Sequence, residues 1–190
     1  MGLFYTKKGD KGYSRIGKKK IYKLNPFVVA LGELDKLNSF IGIVKSLPRQ
    51  WASHRASLFL KKQLHQIQDN LFIIQANVSY AMLKEKRNPP YFSSDKTKNV
   101  ENIIDEIEKN LKPIKKFVIS GATHISAWLD YLRALSRSVE RSVLAVARDK
   151  KGKPTINPSI LPYLNRLSSL FFALARWEAR NKKEKHPKYK

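Results

Sequence analysis

Five stretches of apolar residues at helical spacing, separated by proline and glycine breaks, constrain this chain more than any other feature. Phe27, Leu31, Leu34, Leu37, Ile41 and Val44 predict a first helix from Phe27 to Lys45, closed by Pro48. Leu60, Leu64, Ile67, Leu71, Ile74 and Val78 form the stripe of a longer second helix, from about Trp51 to Met82. After the break at Asn88-Pro89-Pro90, Val100, Ile103, Ile104, Ile107 and Leu111 predict a third helix from Lys98 to Leu111. Phe117 to Ile119 reads as a short apolar link ending at Gly121, and Thr123 as the start of a fourth helix reaching Arg148. Leu161, Leu164, Leu167, Phe171 and Leu174 mark a fifth, from Ser159 to Arg180. No alternating strand and no internal repeat is visible. The expected fold is all-α, a five-helix bundle with a ferritin-like up-and-down core and a basic N-terminal loop.

At 190 residues the chain is expected to form one domain, 1–190, with residues 1–25 as a basic N-terminal loop and 181–190 as a mobile basic tail. Cysteine is absent, which excludes disulfides and thiolate metal sites, and the 4 histidines are scattered, so no metal site is expected. No apolar run approaches the ~20 residues of a membrane span, and no signal peptide is seen, so a cytoplasmic protein is expected. The net charge of +23 is concentrated at the two ends. Such an excess fits solvated termini or contact with a polyanion; without a recognition helix or an aromatic-rich basic strand, nucleic acid is disfavoured.

Three features carry chemistry. Tyr5-Thr6-Lys7-Lys8-Gly9-Asp10-Lys11-Gly12-Tyr13-Ser14 combines glycines, hydroxyls and cations before any helix begins, the composition of a backbone that wraps phosphate. Arg133, Arg137 and Arg141 fall at i, i+4 and i+8 of the fourth helix, a row of like charge that calls for an anion, and the planar guanidinium fork suits triphosphate. Asp35 falls between Leu34 and Leu37, where a carboxylate needs a partner if it is buried. Each has a plainer reading: a terminus with turn glycines, a solvated basic face, and a carboxylate at the edge of its stripe facing water.

Taken in order, the Tyr-Thr-x-x-Gly-Asp-x-Gly start, Gly32 to Gly42, Arg133 to Arg141 and Tyr163 to Ser168 resemble the ATP:cob(I)alamin adenosyltransferases of the propanediol-utilisation (PduO) type, from Tyr5 to about Trp177. The resemblance implies a helical bundle, usually a homotrimer with ATP between neighbouring subunits. It implies that Thr6, Lys7, Gly9, Asp10, Gly12, Ser14 and Lys23 wrap ATP from one subunit, while Arg137, Glu140, Arg141 and Asn165 come from the next. Among the residues it assigns to the reaction besides Arg137, Arg133 and Asp35 form a structural pair, and Phe117 crowds the lower face of the corrin ring. Read without the resemblance, Phe117 would be a core aromatic. ATP with magnesium and cobalamin are the implied ligands, and a reductase and a B12-dependent mutase the implied partners. In the implied reaction cob(II)alamin binds, an apolar side chain such as Phe117 displaces its lower axial ligand, and the four-coordinate cobalt becomes easier to reduce; cobalt(I) then attacks the 5′ carbon of ATP, with triphosphate leaving.

Some positions depart from the family pattern: Val29 and Lys36 stand where glutamates are usual, Ser138 for an arginine, Ser169 for an aspartate, and Ser120-Gly121-Ala122 for Pro-Gly-Gly. The lost acids would make the site more positive. Two alternatives follow: a diverged paralogue that binds corrinoid or ATP without turnover, and a basic helical nucleic-acid-binding protein.

Overall fold

The computed structural model describes residues 4–5, 7–17, 19–48, 54–84 and 88–189. Strands β1 (Tyr13–Ile16) and β2 (Lys19–Tyr22) precede helices α1 (Pro26–Ser46), α2 (His54–Leu83), α3 (Asp95–Lys109), α4 (His124–Leu144) and α5 (Ile160–Ala179). The helical bundle is the one the periodicity calls for.

The first correction lies in the N-terminal loop, which holds an antiparallel hairpin pairing Tyr13 with Tyr22 and Ile16 with Lys19. Apolar alternation could not reveal it, because each strand carries a single aliphatic residue among lysines, arginine and hydroxyls. It is held by cross-strand contacts. The Tyr13 and Tyr22 rings meet edge to face at 5.6 Å, and Lys20 Nζ lies 4.4 Å from the Tyr13 centroid. Gly17 turns the chain at φ 58°. The hairpin rests on the end of α2, where Lys19 Nζ donates to the Leu83 carbonyl, a cation at a helix C-terminus.

Helix ends follow local chemistry. Asn25 Oδ1 accepts from the Phe27 amide at 3.0 Å, and Pro26 opens α1 where no amide is needed. Thr123 and Ser126 form the reciprocal capping box of α4, at the start the sequence indicates. α3 begins earlier than expected because Ser93 Oγ accepts from the Asp95 amide at 3.1 Å; hydrogen bonds from Ser93 and Lys98 hold the Asp95 carboxyl below the usual range. α4 stops at Leu144, short of Arg148, because the chain turns back and Thr155 bonds the carbonyls of Val146 and Ala147. The expected start of the second helix at Trp51 lies outside the described residues.

All the stripe residues anticipated for α2 are buried, as are Leu132, Leu135, Val139, Val143 and Val146 in and just after α4. α4 packs most extensively on α5; α1 packs on α4 and α2, and α3 lies on α5. Between α2 and α5, Asn70 Nδ2 donates to the buried Tyr163 hydroxyl at 3.0 Å, and burial pushes that phenol well above its ordinary pKa. No helix among the described residues is long and apolar enough to cross a membrane.

The tail runs back across the bundle: Ile119 donates its amide to the Lys185 carbonyl at 2.8 Å, and Glu184 pairs with Arg176. The reason is one buried guanidinium. Arg176 is 3% exposed within the apolar face of α5, where it also bonds Asp130 of α4 at 2.6 Å. An ion so buried needs close, hydrogen-bonded counter-charge.

Candidate active site

The site is built around α4, which presents different side chains to two grooves. The larger, of about 800 Å³, runs between the end of α3, α4, α5 and the link that follows α3; its walls include Phe117, Arg133, Ser168, Phe172 and Arg176. That volume lies within the range of small-molecule and cofactor sites. Phe117 is 78% exposed at its rim. The reading of Phe117 as core is thereby overturned. The cause is local: the link from Leu111 to Thr123 carries no helix and has no second apolar face to bury the ring. Arg133 lines the same groove, with its Nε buried and without a hydrogen-bond partner. Phe117 and Arg133 are therefore brought together.

Asp35 is not brought to them. It is exposed on α1, and it makes no hydrogen bond or ion pair with Arg133 within the chain. Helical geometry explains this, since Leu34, Leu37, Ile41 and Val44 take the buried face and Asp35 is rotated about 100° from Leu34.

Further along α4, Arg137 and Arg141 are exposed and Glu140 is half-buried. Glu140 Oε1 accepts from Asn165 Nδ2 of α5 at 2.8 Å. Arg166 donates to Asn165 Oδ1 at 2.9 Å and to Glu101 at 2.7 Å, so Asn165 is oriented from two sides. Arg137 has no hydrogen bond or ion pair among the described residues, and Arg141 donates only to Ser138, at 3.1 Å. With Glu140 engaged by Asn165, the arginine row is left without a carboxylate.

The N-terminal residues form their own cluster. Gly12, at φ 77°, donates its amide to Gly9 and accepts from the Lys23 amide at 3.0 Å. Lys23 Nζ lies 3.5 Å from where a Cβ on Gly9 would stand, an ordinary contact distance that places the ammonium group beside this glycine. Lys7 and Asp10 are exposed, and Ser14 is half-buried opposite Ile21. Thr6 lies outside the described residues. None of Lys7, Gly9, Asp10, Gly12, Ser14 and Lys23 bonds to Arg137, Glu140, Arg141 or Asn165 within the chain. The root of the hairpin arm and α4 share the wall of the second groove, of about 620 Å³, which Leu24 and Pro26 line together with Ser138 and Arg141.

That groove also collects the substitutions that depart from the family pattern. Val29, Lys36 and Ser138 all line it, whereas Ser169 lines the groove of Phe117. The expectation of excess positive charge is moderated, because Lys36 Nζ bonds Glu33 Oε1 at 2.5 Å one turn away. Ser138 keeps Arg141 anchored through its hydroxyl.

Sequence reasoning missed Asp130, Arg176 and Glu184. Each carried a signal: Arg176 interrupts an apolar run, Asp130 follows Leu129 on the buried face, and Glu184 is the single acid after Glu178. Among the described residues no group of three or more His, Asp or Glu side chains gathers as a metal site.

The family model for cobalamin adenosyltransferase matches residues 4–178. The corrinoid adenosyltransferase of Citrobacter freundii is 31% identical over 179 residues, covering 94% of this chain and 96% of that protein. That of Bacillus subtilis (strain 168) is 30% identical over 172 residues, covering 90% and 84%. Among solved structures, a variant PduO-type ATP:corrinoid adenosyltransferase from Lactobacillus reuteri complexed with cobalamin and ATP superposes with a TM-score of 0.83 at 31% identity, over 97% of this chain and 96% of that one. A second variant, complexed with ATP, gives 0.80 at 30% identity, over 97% and 100%. The match spans the hairpin arm, the arginine row and the groove of Phe117 alike, and the chain belongs to the cobalamin adenosyltransferase family.

Proposed function

We propose that this chain transfers the 5′-deoxyadenosyl group of ATP to the cobalt of a reduced corrinoid, giving adenosylcobalamin and triphosphate. The observation that carries the reading is the α4 arginine row: Arg137 and Arg141 stand exposed with no carboxylate, while Glu140 is committed to Asn165. Such a row suits a polyanion that departs with its charge. Cobalt(I) supplies the electron pair for the new cobalt–carbon bond, the bond from C5′ to oxygen breaks, and triphosphate carries that pair away. No protein nucleophile is needed. The residues position the reactants, exclude water and stabilise the leaving charge. Magnesium arrives with the nucleotide, whose phosphate oxygens are its natural ligands.

The corrinoid occupies the groove of Phe117 and Arg133, with the exposed ring toward its lower face. A neighbouring copy completes the nucleotide site. Support comes from the Gly9–Gly12–Lys23 cluster, which makes no bond to Arg137 or Asn165 within one chain, and from Asp35 and Arg133, which make none with each other. The homotrimer of the resembled family meets that requirement.

The test uses purified protein with ATP, magnesium and chemically reduced cobalamin. The visible spectrum should change to that of the cobalt–carbon bond, and Arg137→Ala should lower kcat/KM by about 10²-fold or more. Binding of both ligands without spectral change would show a carrier and overturn the reading.

A further inference from the structure

We propose that the C-terminal segment 183–186 is a strap that fixes where Phe117 stands over the groove, with Glu184 and His186 as its positioning residues. This rests on the reading that Phe117 faces the corrinoid.

A ring that is 78% exposed gains little orientation from packing. Its place must come from the backbone that carries it, and the link between α3 and α4 has few internal bonds with which to hold that backbone. Two bonds from the tail do so. Ile119 donates its amide to the Lys185 carbonyl at 2.8 Å, in an isolated antiparallel bridge. His186 Nδ1 lies 2.9 Å from the Phe117 carbonyl oxygen. A carbonyl only accepts, so Nδ1 carries the proton and donates. The backbone is thus pinned at Phe117 itself and two residues beyond.

The tail is in turn anchored in the bundle. Glu184 pairs with Arg176, whose other arm donates to Asp130 Oδ2 at 2.6 Å. Arg176 and Asp130 are 3% and 6% exposed, and the guanidinium lies 5.1 Å from the Phe172 ring. An arginine fixed from α4, the tail and an aromatic face cannot move independently of them. It also lines the groove that Phe117 rims. One guanidinium therefore joins the wall of the groove to the tail that sets the ring, and Phe117 is located by a path from Asp130 through Arg176 and Glu184 to the bonds at Lys185 and His186. A hydrophobic side chain that must displace a cobalt ligand needs its backbone held against recoil, and misplacement by about 1 Å can cost about 10²-fold in rate.

The experiment compares the full-length parent with Glu184→Ala, Glu184→Asp, His186→Ala and Phe117→Ala. Hydrogen exchange at the Ile119 amide reads the strap directly, and the optical or electron-spin signature of bound cob(II)alamin reads the fraction that has lost its lower ligand. Glu184→Ala and His186→Ala should each speed Ile119 exchange by about tenfold. They should also lower the four-coordinate fraction and kcat by about tenfold while leaving KM for ATP unchanged. Glu184→Asp should restore part of both. His186 is exposed and replaces no core group, so its variant folds even if Glu184→Ala does not. Faster exchange with an unchanged four-coordinate fraction overturns the strap and leaves the proposed activity standing. Unchanged exchange also overturns it. If Phe117→Ala itself leaves that fraction untouched, the reading of Phe117 fails and the strap with it, whereas adenosyl transfer is judged separately by the cobalt–carbon spectrum.

Discussion

The two ends of this chain are alike in composition and opposite in construction. Both are lysine-rich, yet the N-terminal arm is held by contacts within itself, while the C-terminal tail is held by an ion buried in the bundle. The arm closes through Tyr13 on Tyr22 and Lys20 over Tyr13, and touches the helices at Leu83. The tail reaches the 3% exposed guanidinium of Arg176 through Glu184. Charge density alone therefore says nothing of order. One carboxylate placed to meet one buried cation separates a docked segment from a solvated one, because an unpaired buried ion is far more unfavourable than any surface pair is favourable.

The largest expected effect tests that asymmetry. Arg176→Met leaves Asp130 buried without its partner and releases Glu184, a change that should destabilise by about 3–5 kcal/mol. The thermal midpoint should fall by roughly 10 °C. Lys20→Ala in the arm removes only a cation–π contact, with a cost of about 0.5–1 kcal/mol at an exposed site. Calorimetry on both variants reads the difference. Equal losses would mean that the tail is no better anchored than the arm.

The reverse ranking should hold for the nucleotide. Gly12 sits at φ 77° and bonds Gly9 and Lys23, so Gly12→Ala strains the turn that gathers the arm without touching the core. Its KM for ATP should rise about tenfold with a midpoint shift of about 2–8 °C, since a residue forced into the left-handed region costs about 1–2 kcal/mol. Steady-state kinetics and a melting curve check it. A collapse in stability with an unchanged KM would move the arm from the nucleotide to the scaffold.

What could be read from the residues follows the same division. Helices with one apolar face announce themselves by period, so Leu60 to Val78 in α2 and the Thr123 start of α4 were visible. The hairpin was not, because its cohesion lies in Tyr13, Tyr22 and Lys20, aromatic and charged partners that carry no alternation. Asp35 and Phe117 show the limit on the site. Adjacent to buried residues in sequence, Asp35 faces out because a single residue step turns a helix by about 100°; apolar by type, Phe117 is exposed because its link has no packing face. Nor does spacing tell that Arg176 of α5 meets Asp130 of α4 and Glu184 of the tail, a convergence of three segments that only the packed bundle creates.

The smallest expected effect concerns the root of the tail and its dependence on pH. Burial raises the Glu178 carboxyl above its ordinary value of 4.5, opposed in part by Arg180. A carboxyl with a raised folded-state pKa binds its proton more tightly folded than unfolded, so it stabilises the fold most at low pH and loses that contribution as pH climbs from about 4.5 through the raised value. Above that raised value Glu178 is a charge held in a partly apolar place, on the α5 turn from which the tail departs. Glu178→Gln should raise the midpoint at pH 7 by less than about 4 °C and flatten the fall in stability between weakly acidic and neutral pH. Melting curves at several pH values decide it. A lower midpoint at pH 7 would show that the ionised Glu178 is being held by Arg180, and would make the tail's root, like its tip, depend on a paired carboxylate.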